Sequence, residues 1–135
     1  MSNKKQTILD ALASGLETAG CIKKATRNLL TPAKARDLAP YVGIVSGMEE
    51  VLVEDSSDIR YGLDVDLILL RKGDDIEKMI DDVKTYIYTS GTASTIGAKW
   101  IGLIGQQPVN LIEADGFSSS RVVLYIIYVA SKASF

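Results

Sequence analysis

Two carboxylates, Asp64 and Asp66, stand two residues apart in the stretch DIRYGLDVDLILLRK, from Asp58 to Lys72. At that spacing on a strand they share one face, where paired carboxylates can hold a hard divalent cation or divide acid and base work between them. The alternative is a solvated or interface-facing strand surface, alternating with Leu63, Val65 and Leu67 on the core side, and we expect this one. A second acidic group precedes it: Glu49, Glu50, Glu54, Asp55 and Asp58 fall in EEVLVEDSSD, which holds no base. These acids lack the D-x-[DN]-x-[DN]-G order of an EF-hand loop and read as a solvated acidic loop. The chain has no histidine, which removes the commonest general base, the commonest zinc ligand and any Ser-His or Cys-His nucleophile. Its one cysteine, Cys21, cannot form an internal disulfide and reads as a buried, inert thiol beside Ile22. Gly91 to Lys99 (GTASTIGAK) resembles a phosphate-binding loop but fails on spacing: five residues separate the glycines, and Ala98 stands where the lysine belongs. No catalytic residue, cofactor or metal is therefore expected.

The elements that carry these acids follow from periodicity. In the organising stretch, Ile59, Tyr61, Leu63, Val65, Leu67 and Leu69 alternate with Arg60, Gly62, Asp64 and Asp66, the period of a strand with one buried face. Toward its end Ile68 and Leu70 make it apolar on both faces, as for a strand that passes under a helix or another subunit. Ile76, Met79, Ile80, Val83 and Ile87 trace a helical stripe after Asp74-Asp75, whose charges suit the positive end of the helix dipole. Arg121 to Ser131 (RVVLYIIYVAS) is apolar on both faces, the pattern of a central strand or of one covered by a neighbouring subunit.

The remaining chain fits around these elements. Met1 to Gln6 reads as a polar tail, and Thr7 to Thr18 as a helix with Ile8, Leu9, Leu12 and Leu16 on one face. Cys21 to Thr26 is weakly extended. Thr31-Pro32 starts a short helix through Ala33, Ala35 and Leu38 that ends before Pro40. Tyr41 to Ser46 is a strand, Gly47-Met48 a turn, and Val51 to Glu54 a short strand leading to an acidic turn at Asp55 to Asp58. Ser90 to Gly105 is part strand, part loop. Val109 to Glu113 is a candidate strand, Asp115-Gly116 a turn that Ser118 to Ser120 prolong, and residues 132–135 a tail. The expected fold is one α+β domain over residues 1–135: a mostly antiparallel sheet with two main helices packed on one face.

At 135 residues, 47% hydrophobic and 24% charged, the chain has ordinary globular composition and needs no metal or disulfide to fold. A net charge of −2 and the lack of basic residues interleaved with aromatics argue against a nucleic-acid-binding face. The charge is uneven: residues 1–40 hold seven Lys/Arg against three acids (+4), and residues 41–135 hold eight against fourteen (−6). Two differently charged solvated surfaces account for this, as does a head-to-tail contact between copies. No signal peptide and no bilayer-length apolar run are evident, so no membrane role and a cytosolic site of synthesis are expected.

Taken together, the N-terminal amphipathic helix, the segment Pro40-Tyr41-Val42-Gly43-Ile44-Val45-Ser46-Gly47, the glutamate-rich turn, the long strand Tyr61 to Leu69 with its helix, and the closing Leu124-Tyr125-Ile126-Ile127-Tyr128 form a pattern. It resembles the tail terminator (tail completion) proteins of long-tailed bacteriophages, in element order and texture over most of the chain. The resemblance implies a non-enzymatic virion protein, assembled in the bacterial cytoplasm, that forms a ring, typically a hexamer. Such a ring caps the tail tube, ends its polymerisation and offers a surface to the head-side connector. Its partners would be its own copies, the tail tube protein and the connector, with genomic DNA only passing through the lumen. On that reading Glu49, Glu50, Glu54, Asp55, Asp58, Asp64 and Asp66 belong to an interface or to the lumen, where acids repel passing phosphates. A head–tail joining or neck protein is the nearest alternative. A small ligand-binding regulatory domain, or a metal enzyme using Asp64 and Asp66, are alternatives from other classes.

Overall fold

The computed structural model describes residues 4–18, 22–28, 32–73, 76–106, 110–112 and 116–132. In chain order its elements are α1 (Lys4–Glu17), β1 (Lys24–Arg27), α2 (Pro32–Asp37), β2 (Tyr41–Glu54), β3 (Asp58–Lys72), α3 (Ile76–Tyr88), α4 (Thr92–Ile96), β4 (Trp100–Gln106), β5 (Asn110–Ile112) and β6 (Phe117–Ser131). The strands form one sheet in the order β1-β2-β3-β6-β4, with β5 paired to the start of β6. β1 runs parallel to β2, and every other pairing is antiparallel. The fold is α+β.

β3 is central because it pairs along its whole length with β6, from Asp58 opposite Ser131 to Lys72 opposite Phe117. Its alternation sorts the two faces. Leu63, Val65, Leu67 and Leu69 are fully buried and meet Val122, Leu124 and Ile126 of β6 in one core cluster. α1 lays Ile8, Leu9, Leu12 and Leu16 on that cluster, and α3 adds Ile76, Met79, Ile80, Val83 and Ile87. Each such side chain contributes about 1.5–3 kcal/mol on leaving water, which is what holds the two main helices to one face. Among the described residues the opposite face is covered only at one end. There α2 sets Ala35 on Tyr41 and Leu70, with Leu38 and Phe117 at the margin. Leu70, which with Ile68 makes the second face of β3 apolar at this end, is thus accounted for by a helix.

Several boundaries differ from the sequence reading. α1 starts at Lys4, so Lys4, Lys5 and Gln6 are helical rather than tail. The weakly extended stretch becomes β1 at Lys24, its register fixed by pairing with Tyr41 to Ile44. Gly47-Met48 is not a turn: β2 continues through it, absorbing an extra residue as a bulge between Ser46 and Glu49. β6 begins at Phe117 rather than after the serines, with Ser118 and Ser120 buried in the sheet. Thr92 to Ile96, expected as strand or loop, is a short helix between Gly91 and Gly97, both left-handed. Cys21, Thr31, Asp74-Asp75 and Asp115 lie outside the described residues.

Candidate functional site

The expected acids fall on two surfaces, a hairpin arm and the uncovered sheet face. The arm is the part of β2 beyond Ser46, the part of β3 before Leu63 and the end of β6. β1 flanks β2 only over Tyr41 to Ile44, so from Val45 to Glu54 no described strand lies on its outer edge. From Gly47 to Glu54 every β2 residue is exposed, including Met48 (72%), Val51 (56%), Leu52 (39%) and Val53 (59%). A second bulge, between Val51 and Val53, interrupts the ladder again.

What orders the arm is a set of ties to β6. Tyr61 and Tyr128 stand opposite each other and stack, with ring centroids 5.2 Å apart. The Tyr128 hydroxyl donates to the Glu49 carboxylate, and the Tyr125 hydroxyl donates to Glu50 Oε1 at 2.7 Å. Consecutive strand residues point to opposite faces, so these two bonds hold β2 from both sides, reaching across β3. Tyr125 can reach because β3 has a glycine beneath it: a Cβ at Gly62 would lie 1.7 Å from the Tyr125 hydroxyl oxygen. Burial, then the bond to Glu49, raises the Tyr128 hydroxyl above the ordinary tyrosine range. The bond to Glu50 is the main cause that pushes Tyr125 up to about 12. Farther out, Lys132 Nζ meets Glu54 Oε2 at 3.0 Å.

The acidic turn is tied into itself. Asp55 Oδ1 accepts from the backbone N–H groups of Ser57 (2.8 Å) and Asp58 (2.7 Å). These bonds hold the Asp55 carboxyl below its ordinary value. Asp58 is half-buried at the foot of the turn and lines a shallow concavity with Val53, Asp55, Arg60 and Val129.

Asp64 and Asp66 lie on the face of the sheet away from α1 and α3, both half-buried. Asp66 is committed to Arg121, Oδ2 to Nη2 at 2.7 Å, and stands opposite Val45 and Val123. Asp64 stands opposite Tyr125. Among the described residues no group of three His, Cys, Asp or Glu side chains is placed to hold a metal ion. Around the two aspartates, Val123, Tyr125, Ile127 and Val129 form a half-exposed apolar row with Trp100 at its flank. The Trp100 ring lies over Gly102, where a Cβ would come within 2.3 Å of it.

At the other edge of the sheet, β4 exposes Trp100 (47%) and Ile104 (56%). The Leu103 N–H points away from β6 and donates to the Tyr88 hydroxyl oxygen at 2.9 Å. The stretch resembling a phosphate loop is a helical connector, in which Thr92 Oγ1 donates to the Tyr86 carbonyl at 2.8 Å.

The structure therefore brings Glu49, Glu50 and Glu54 onto one arm, turns Asp55 and Asp58 into its tip, and leaves Asp64 and Asp66 on the open face. The residues that sequence reading missed are Tyr61, Tyr125 and Tyr128; only the register of three strands reveals that Tyr125 and Tyr128 meet the glutamates and that Tyr61 stacks on Tyr128. Among the described residues no helix is long and apolar enough to cross a membrane. No protein-family model matches the chain, and no curated protein aligns with it significantly.

Proposed function

We propose that the protein is a structural virion component, a tail terminator whose copies form a ring at the head-proximal end of a phage tail. The observation that supports this reading most is the arm. A strand carrying Met48, Val51, Leu52 and Val53, exposed on both faces and along its edge, gains nothing from its apolar side chains in an isolated chain. Such a surface fits permanent association with other protein copies. Its acids fit the role proposed for them: Glu49, Glu50 and Glu54 along the arm and Asp64 and Asp66 on the open face would face the lumen or the last tube ring, where they repel DNA phosphates.

In this reading the ring ends tube growth because one of its faces matches the last tube ring and the other cannot recruit a further tube subunit. That other face meets the head-side connector, and the protein works without cofactor or catalytic residue. Light scattering over a range of concentrations, with and without tail tubes, tests it. A ring-sized particle, or a monomer that becomes one only on tubes, supports the reading. A monomer or dimer indifferent to tubes overturns it. Replacing Glu49, Glu50, Glu54 and Asp55 together by their amides is expected to impair tail joining or DNA passage; unchanged infectivity would remove the acids from the function.

A further inference from the structure

We infer that the open β2 edge, from Val45 to Glu54, takes the β4 edge of a second copy, so that the sheets of successive copies run into one another. The inference rests on the ring reading and supplies its subunit contact. Among the described residues, six of the seven large apolar side chains left exposed lie on these two edges: Met48, Val51, Leu52 and Val53 on β2, Trp100 and Ile104 on β4. The core does not need them, and they stand at opposite ends of the same sheet.

Direction and level agree as well. β2, β3, β6 and β4 are successive antiparallel neighbours, so β4 runs opposite to β2. Glu50 pairs with Gly62, Gly62 with Ile127, and Ile127 with Trp100. By the same relay Ile44 stands level with Gln106 through Leu67 and Val122. A rotation about an axis along the strands therefore lays β4 of one copy antiparallel beside Val45 to Glu50 of β2 in the next, at matching height, while Val51 to Glu54 reach past Trp100, level with the residues that precede β4. The contact is heterologous and closes into a ring when the rotation divides the circle.

Charge selects this occupant over the other self-contact. Two β2 edges meeting about a two-fold axis would set Glu49, Glu50 and Glu54 against their own copies. Against β4, Glu49 and Glu50 instead come level with the Trp100 end of the strand, next to exposed Lys99, which leads into that edge. The two bulges in β2 keep the junction from being an uninterrupted ladder, so side chains carry much of it. One device guards the β4 edge in the free chain. Tyr88, 61% exposed, accepts the Leu103 amide proton that a neighbouring strand would otherwise take. Assembly displaces this hydroxyl.

The test uses the full chain in a Cys21→Ser background. Chains carrying Met48→Cys are mixed with chains carrying Ile104→Cys and treated with a short bismaleimide. The expected result is a covalent dimer in the mixture and a ladder ending at ring mass when both cysteines are on one chain. A covalent dimer from Met48→Cys alone would replace the inference with a two-fold β2 contact. Ring-sized particles without any β2–β4 product would overturn the junction and leave the ring standing. Monomers at every concentration, with and without tubes, would overturn the ring and the junction with it. Trp100→Asp, with helix and strand content checked by circular dichroism, is expected to weaken self-association about tenfold or more. Tyr88→Phe frees the Leu103 amide and is expected to strengthen it roughly two- to tenfold, one hydrogen bond's worth. No change in either variant counts against the β4 edge.

Discussion

The two halves of the β2–β3 hairpin are the same pair of strands in two different solvents. In the half from Tyr41 to Ser46, β2 lies against Val65 to Leu70, with Val42 and Ile44 buried in the core that α1 and α3 cover and Tyr41 buried under α2. In the half from Gly47 to Glu54 the ladder goes on, but every β2 side chain is exposed. The first half is held by burial, which is strong and indifferent to direction. The second is held by a few directed contacts: one tyrosine stack, two Tyr–Glu bonds and an ion pair at Lys132. Contacts of that kind contribute about 0.5–1.5 kcal/mol each, enough to fix a conformation on a finished sheet but not to build one. The arm is thus held in one shape by directed contacts, with little of the burial that holds the other half.

This difference can be broken from either side. Leu67→Ala, in the buried half, should cost about 2–5 kcal/mol and lower the thermal midpoint sharply. A loss under 1 kcal/mol would mean that the core does not centre on β3. Gly62→Ala should cost about 1–3 kcal/mol, because the new methyl must displace the Tyr125 ring and break its bond to Glu50; hydrogen exchange should rise in the arm and stay unchanged in β3 beyond Val65. Tyr128→Phe should cost about 1 kcal/mol, and a cycle with Glu49→Gln should recover most of that as coupling. Smallest of all, Val51→Ala should change stability by no more than about 0.5 kcal/mol, since the side chain is mostly exposed. The same variant losing several kcal/mol would mean that the arm is part of the core.

Alkaline pH offers a reversible version of the same comparison. A tyrosine whose pKa is higher in the folded chain than in the unfolded one stabilises the fold fully below the unfolded value, and that contribution fades as pH rises through the folded value. For Tyr125 the window runs from 10 to about 12. The arm should loosen across it while the buried half keeps its exchange protection. Ultraviolet titration should show one hydroxyl near the top of that window, moved down by Glu50→Gln.

Much of the fold was legible in the sequence because it is written as periodicity. β3 runs from Asp58 to Lys72 as its alternation indicated, and the stripe from Ile76 to Ile87 is the buried face of α3. What could not be read depends on neighbours. Gly47 and Met48 look like a turn until β3 is seen to hold the strand straight through a bulge. Ser118 and Ser120 look like loop until β3 is seen to pair with both and β5 with Ser118. The candidate site divides the same way. Its acids were visible as a cluster, but the tyrosines that meet Glu49 and Glu50 lie 75 or more positions away in the chain, and no local pattern connects them.

Trp100 is the chain's single tryptophan, and it lies flat over Gly102 on the outermost strand with nearly half its surface in water. Its emission therefore reports on one place only. Folding alone should leave the indole fluorescing toward the red and open to quenching by iodide or acrylamide. Coverage of that edge should shift the emission to the blue and shield it from both quenchers. The protein thus carries its own optical gauge of occupancy at β4, readable without a label and fast enough to follow a mixing experiment in time.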